Sequence, residues 1–219
     1  MVGAFFDLDG TILTRSSGNL YLEYAYRQRK VSLFVLLRSY LWYLEHWLGF
    51  LDVDKVARKG LKMVRGMKEQ EVVDFCCRWF DEMVKDYINP QVVEMIEEHR
   101  GQGHLTVVLS GSTSYAVAPV AEYLKMDGYI CTRLEVADGR FTGRAIEPLC
   151  YGRGKLYWAE IFCRERGIDM AQSFFYTDSI TDLPVLEAFG HPCVLDPDPR
   201  LRKEALKRGW TVVDTARGK

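Results

Sequence analysis

The sequence predicts an α/β fold: a doubly wound parallel sheet with a helical block inserted after the first strand. Three patterns predict it. Short apolar runs rich in Val, Leu and Phe alternate with helix-period segments from residue 89 onward, as expected when buried parallel strands are joined by crossover helices. Residues 15–87 carry helical spacing and no strand signal. The third pattern is a set of polar motifs, each at a predicted strand or helix junction, near the strand ends where open α/β sheets bind ligands.

The N-terminal run Val2 to Phe6 reads as a short buried strand leading into Asp7-Leu8-Asp9-Gly10-Thr11. Residues two apart in extended chain point the same way, so Asp7 and Asp9 leave the strand on one side. Two like charges at that range need a cation or a shared proton, and a hard divalent ion such as Mg²⁺ takes oxygen ligands. Gly10 permits a turn that other residues would strain. The same residues also suit an ordinary turn at a strand end; the downstream motifs decide between the two.

Four helices are expected in residues 15–87: 16–29, 32–48 with Gly49 as its stop, a third capped by Asp52 and running through Arg65 to Gly66, and a fourth over 68–87. Together they predict a small helical bundle. The second is apolar over well over half its circumference, and residues 31–51 are long enough to span a bilayer. Arg38, Glu45 and His46 fall inside that stretch, each charge costing a few kcal/mol at the bilayer centre. A buried bundle helix is therefore the expectation, and contact with a membrane surface is not favoured.

Asn89-Pro90 opens the next helix with a cap and an N1 proline. Leu105 to Leu109 reads as a buried strand ending in Ser110-Gly111-Ser112, followed by a helix to Lys125 in which Pro119 either sits in the first turn or kinks the helix. Tyr129 to Cys131 is a strand. Leu134 to Val136 and Arg140 to Thr142 form a hairpin turning at Asp138-Gly139. Tyr151-Gly152-Arg153-Gly154-Lys155 starts a helix to Arg166, and Ser173 to Tyr176 is a strand ending in Thr177-Asp178-Ser179-Ile180-Thr181-Asp182. A helix to Phe189, a strand Cys193 to Leu195, a helix capped by Asp198-Pro199 and a strand Thr211 to Val213 complete the chain.

Composition narrows the function. A chain of 219 residues, 48% hydrophobic, buries a substantial core, and its net charge of −1 gives no electrostatic case for nucleic acid. The N-terminus shows no basic region before an apolar run, so no signal peptide is expected. The six cysteines form no C-x-x-C pair and suit a reducing, cytoplasmic setting. His46, His99, His104 and His191 sit in no ligand motif and are read as structural. The chain gives no indication of oligomeric state.

Carboxylates for attack, proton transfer and metal binding, a Lys, and hydroxyl or amide donors together suit phosphoryl transfer, where a protein mainly positions groups and neutralises charge. Asp7-Leu8-Asp9-Gly10-Thr11, Ser110-Gly111, Lys155 and Asp178 to Asp182 resemble the four motifs of the haloacid dehalogenase superfamily. The insertion after the first motif and the D-x-x-x-D form of the last are most similar to its phosphoserine phosphatase-like branch, subfamily IB. The resemblance covers residues 1–14 and roughly 88–195 and implies a Rossmann-like core, bounded here as 1–14 and 88–219, under a helical cap at 15–87.

It also implies roles. Asp7 attacks phosphorus to form an aspartyl-phosphate; Asp9 is the acid/base. Mg²⁺ is held by the Asp7 carboxylate, the Asp9 backbone carbonyl and Asp178. Thr11, Ser110, Gly111 and Lys155 bind phosphoryl oxygens, and Asp182 orients Lys155 or metal-bound water. Two positions depart from the branch: Thr181 replaces a phosphate-contacting Asn, and Ser16 replaces a Glu that engages the amino group of phosphoserine.

The expected enzyme is thus a Mg²⁺-dependent phosphatase whose substrate is a small phosphomonoester other than phosphoserine. A lysolipid or phosphatidylglycerophosphate-type substrate is the alternative. A phosphomutase and a non-catalytic phospho-aspartyl module are the remaining ones; the module could lose Asp9 or Lys155, and this chain keeps both. Arg27, Arg38, Arg58 and Arg65 are expected to be solvated or paired cations of the insertion.

Overall fold

The structure is a computed structural model that describes residues 1–34, 38 and 53–215, with residues 53–57 and 59 described by backbone alone. Its centre is a six-stranded, wholly parallel sheet in the order β3-β2-β1-β6-β7-β8. The strands are β1 (Gly3–Phe6), β2 (Leu105–Thr113), β3 (Gly128–Thr132), β6 (Phe174–Thr177), β7 (His191–Leu195) and β8 (Thr211–Val213). β4 (Leu134–Ala137) and β5 (Arg140–Ala145) form the expected antiparallel hairpin. Asp138 and Gly139 both take positive φ at its two-residue turn, as a twisted hairpin requires.

β1 is central, and all four of its residues are buried. Phe5 and Phe6 alternate across the sheet and seed two cores. Phe5 joins Val107, Leu109, Ala159, Cys163, Leu186 and Leu201 on one face. Phe6 joins Val92, Ile96, Val117 and Val120 on the other. Burying each ring is worth about 1.5–3 kcal/mol, which anchors the end of β1 from both sides.

The helices are α1 (Ser17–Arg27), α2 (Val53–Val64), α3 (Glu69–Glu82), α4 (Pro90–Gly101), α5 (Ser114–Tyr123), α6 (Arg153–Arg166), the single turn α7 (Leu183–Leu186) and α8 (Pro199–Arg208). Asn89 and Asp198 cap α4 and α8 as expected, accepting backbone N–H groups at the first turns. Gly167 and Gly209 close α6 and α8 in the left-handed conformation.

Two expectations change, and one left open at Pro119 is decided. The helix over 68–87 ends at Glu82; Met83 leaves the helical region at φ −143° with its side chain buried, and residues 84–87 continue as a 3₁₀ turn. The helix expected up to Phe189 is a 3₁₀ turn at Ile180–Asp182 followed by α7 alone. Pro119 lies past the first turn of α5, so the Tyr115 carbonyl loses the helical donor a non-proline residue would supply. Of the helix expected at 32–48, with its membrane alternative, only residues 32–34 and 38 are described; the rest, with the stop at Gly49 and the cap at Asp52, lies outside the described residues. Among the described residues no helix is long and apolar enough to cross a membrane.

The inserted helices α1 and α3 meet through aromatic rings. Tyr21 and Tyr24 stand edge-on to Phe75, with centroids 5.3 and 5.1 Å away, and Tyr21 reaches Trp79. Residues 66–69 hydrogen-bond along β5, Gly66 N–H to Phe141 O and Phe141 N–H to Met67 O. The hairpin, from the second half of the chain, thus braces the insertion.

The described histidines, His99, His104 and His191, pack as structural groups; His46 lies outside the described residues. His99, buried in α4, contacts His104 Nδ1 and Tyr176 Oη, both at 2.8 Å. His104 and His191 stack on Phe174. His104 and His191 stand at the amino ends of β2 and β7.

Candidate active site

The carboxyl ends of β1, β2 and β6 converge on one mouth. Asp7, buried at the end of β1, donates its backbone N–H to Tyr176 O of β6, so hydrogen bonding of neighbouring strands fixes its place. Its Oδ1 accepts the Leu8 N–H at 2.8 Å and lies 2.9 Å from Lys155 Nζ. The same ammonium lies 2.7 Å from Asp182 Oδ2, which also accepts the Thr177 hydroxyl at 2.7 Å. Thr177 Oγ1 stands 3.5 Å from Asp7 Oδ2.

Lys155 reaches this point because α6 starts close behind it. A Cβ on Gly154 would lie 2.0 Å from the Leu149 carbonyl, so only glycine lets the helix begin there. Burial opposes a charged ammonium, yet Asp182 and Asp7 more than offset it and hold Lys155 protonated. Burial raises the Asp7 carboxyl well above the usual carboxylate range; Lys155 opposes this, while Asp182, Asp178 and Asp9 push the same way.

Asp7, Asp9, Asp178 and Asp182 line the mouth with Lys155, which pairs with Asp7 and Asp182; the remaining negative charge there suits a further cation. Asp178 meets Gly10 directly across the mouth. Asp7 and Asp178 both line the mouth; their carboxylates and the Asp9 carbonyl are the oxygens that could hold a hard divalent ion. Among the described residues no group of three His, Cys, Asp or Glu side chains converges as a metal cluster.

Asp9 turns away from Lys155. Its Oδ1 accepts the backbone N–H of Ser17, the first residue of α1, and its Oδ2 accepts Ser112 Oγ at 3.1 Å. Gly111 and Thr181 line the mouth with Asp7, Asp9, Lys155 and Asp178. The side chains of Thr11 and Ser110 are buried behind that wall. Thr11 Oγ1 has no partner among the described residues, and Ser110 Oγ accepts the Ser112 N–H at 3.1 Å. Pairing of β2 with β3 shifts register between Leu109 and Thr113, which breaks the simple alternation of strand faces and leaves Ser112 facing Asp9.

Sequence reasoning missed Ser17, Ser112 and Thr177. The only signals were a serine at a helix start, a second serine beside Ser110-Gly111 and a hydroxyl next to Asp178. The mouth is part of a cavity of about 1080 Å³, walled elsewhere by Tyr21, Val31, Leu61, Val64, Val72 and Phe141 among others. Ser16 lines it. Arg27 and Arg58 pair with Glu23 and Glu147, and neither they, Arg38 nor Arg65 belongs to the wall.

The model of the haloacid dehalogenase-like hydrolases matches residues 4–187. The chain belongs to that family. A probable phosphatase of Mycobacterium tuberculosis is 33% identical over 217 residues, which cover 98% of this chain and 75% of that protein. A histidinol-phosphatase of Neisseria meningitidis is 28% identical over 216 residues, covering 96% and 97%. The fold is shared with a phosphoserine phosphatase solved as a phospho-aspartyl intermediate analogue, at a TM-score of 0.67 and 20% identity over 95% of this chain and 97% of that one. This haloacid dehalogenase-like hydrolase is a phosphatase of phosphoserine phosphatase-like fold.

Proposed function

We propose that the chain is a Mg²⁺-dependent phosphomonoester hydrolase working through an aspartyl-phosphate on Asp7. Its substrate is a small phosphorylated metabolite with an apolar body. The observation that carries this reading is the bridge of Lys155 between Asp7 and Asp182, with Asp178 across the mouth at Gly10. Residues 1–14 and 88–219 act as the catalytic core and 15–87 as the cap that closes over it and excludes water.

In this mechanism the Asp7 carboxylate bonds to phosphorus as the ester P–O bond breaks, and the departing oxygen takes a proton from Asp9. Asp9 then takes a proton from water as the water oxygen bonds to phosphorus and the Asp7–phosphorus bond breaks, releasing inorganic phosphate. Lys155 and the Gly111 amide hold phosphoryl oxygens, and so do Thr11 and Ser110 once a phosphate draws their hydroxyls. Asp182, aided by Thr177, keeps Lys155 in place. The Asp7 and Asp178 carboxylates and the Asp9 carbonyl would hold Mg²⁺, whose charge offsets repulsion between Asp7 and an anionic phosphate.

Ser16 supports a substrate other than phosphoserine, because it places no carboxylate at that point of the wall. The histidinol-phosphatase likeness fits a phosphate ester on a small body. A second reading, a lysolipid or phosphatidylglycerophosphate-type substrate, is favoured by the apolar wall, which continues to the exposed Met63. Phosphate release from a panel of metabolite and lipid phosphomonoesters, with and without EDTA, tests both. EDTA-insensitive turnover, or full turnover by Asp7→Asn, overturns the mechanism. Failure to co-sediment with liposomes counts against the lipid reading.

A further inference from the structure

Asp9 is the junction of two parts of the molecule. Its Oδ1 accepts the backbone N–H of Ser17 at the start of α1, in the insertion. Its Oδ2 accepts the hydroxyl of Ser112, at the end of β2 in the sheet. The two serine hydroxyls stand 2.9 Å apart. Ser112 has one proton and spends it on Asp9, so Ser17 Oγ must be the donor to Ser112. The chain of donors runs one way, from Ser17 to Ser112 to Asp9, and ends on the carboxylate.

We propose that Ser17 and Ser112 are positioning residues that clamp Asp9 at both oxygens and make its aim depend on the seating of α1. This rests on the acid/base role of Asp9 given above. The physical basis is twofold. A carboxylate with each oxygen accepting one hydrogen bond keeps a free lone pair on each, so the clamp fixes direction while leaving room for proton transfer. The Ser17 N–H is one of the four N-terminal donors that α1 cannot satisfy internally, and the helix end favours an anion there. Ser16, at the N-cap, makes no side-chain cap hydrogen bond; Asp9 fills that part from outside the helix. A shift of α1 relative to the sheet would therefore part Ser17 from Asp9 while Ser112 stays with β2.

Both donors can be removed without breaking the local backbone. Ser17→Pro deletes the N–H at the first helical position, where proline is tolerated. The preceding Ser16, at ψ 125°, already has the extended conformation that proline asks of its neighbour. Ser112→Ala deletes the hydroxyl, and Ser112→Thr keeps it on a residue suited to a strand.

The test compares kcat/KM for two substrates in the full chain. One is the fastest of a series of primary alkyl phosphates, whose alkoxide needs a proton to leave. The other is 4-nitrophenyl phosphate, whose phenolate departs without one. A misaimed acid penalises only the former. Ser17→Pro and Ser112→Ala are expected to lose about tenfold or more on the alkyl ester and less than about threefold on the aryl ester, part of the 10²–10⁴ a placed acid supplies. Ser112→Thr restores the alkyl activity.

Asp9→Asn, run alongside, separates two kinds of failure. A wide alkyl-to-aryl gap in Asp9→Asn with none in either serine variant overturns the clamp and leaves the acid/base reading standing. No gap in Asp9→Asn overturns that reading and the clamp with it. Because the two serine variants lie on different elements, and thermal melting reports whether each is folded, loss of one to misfolding leaves the other to decide.

Discussion

Gly10 and Asp178 meet so closely that a methyl group on the Gly10 Cα would lie 2.0 Å from Asp178 Oδ2. Gly10 also sits at φ +75°, so any side chain there is strained twice over. Gly10→Ala is expected to drive Asp178 off the mouth and lower kcat/KM by about 10²-fold or more, while a fold anchored by Phe5 and Phe6 persists. Steady-state kinetics with circular dichroism checks this; a variant of near-native activity refutes the close packing.

Lys155 is buried between two carboxylates, so its loss strands both. Lys155→Met should cost about 3–5 kcal/mol, as expected when one partner of a buried ionic network is removed. Adding Asp182→Asn, which removes one stranded charge, should recover at least about 1 kcal/mol. Urea unfolding of the single and double variants decides it; additive losses would mean that Lys155 and Asp182 do not share one network.

Metal binding should be visible in stability without any turnover. Mg²⁺ at about 100 times its dissociation constant is expected to stabilise the fold by about 2.7 kcal/mol, read as a rise in melting temperature that EDTA reverses. Asp178→Asn should abolish the rise. An unchanged rise in that variant would place the cation elsewhere.

His99 sets an acid limit on stability. Burial, with His104 beside it, lowers its pKa to about 4 in the fold, against about 6.5 in the unfolded chain. The unfolded chain therefore takes up the proton first as pH falls. The stability owed to neutral His99 is whole above about pH 6.5 and is lost progressively towards about pH 4. Melting temperature measured across that window should fall more steeply in the native protein than in His99→Gln; parallel curves would mean that His99 contributes nothing to acid sensitivity.

Ser16 lines the cavity, and the motif resemblance implies that the phosphoserine phosphatase-like branch carries a carboxylate there. Ser16→Glu should raise kcat/KM for phosphoserine by about tenfold, the worth of about 1.4 kcal/mol in one charged contact. A competing ester without an amino group should gain nothing. Equal changes for both substrates would detach Ser16 from specificity.

Much of this was legible in the sequence because it is local. Alternating apolar runs mark strands whose side chains face helices on both sides, and caps such as Asn89-Pro90 and Asp198-Pro199 write helix starts into a few adjacent residues. Asp7, Lys155, Asp178 and Asp182 could be named because each follows a strand or opens a helix, and a parallel sheet gathers those ends. Elements whose limits depend on distant contacts were misjudged, as at Met83, where the helix ends on a buried side chain.

What only the tertiary structure decided is the pairing of individual atoms. The sequence alone determined the order of the strands along the chain, the polar motifs at their ends and the helical insertion after the first. It could not show that Lys155 spans Asp7 and Asp182, that the β4–β5 hairpin braces the insertion, or that Asp9 is held between Ser17 and Ser112. Spacing along a chain fixes which way a side chain leaves its own element. Hydrogen bonds and ion pairs act over about 3 Å between elements a hundred residues apart, so their partners are set by sheet register and helix packing.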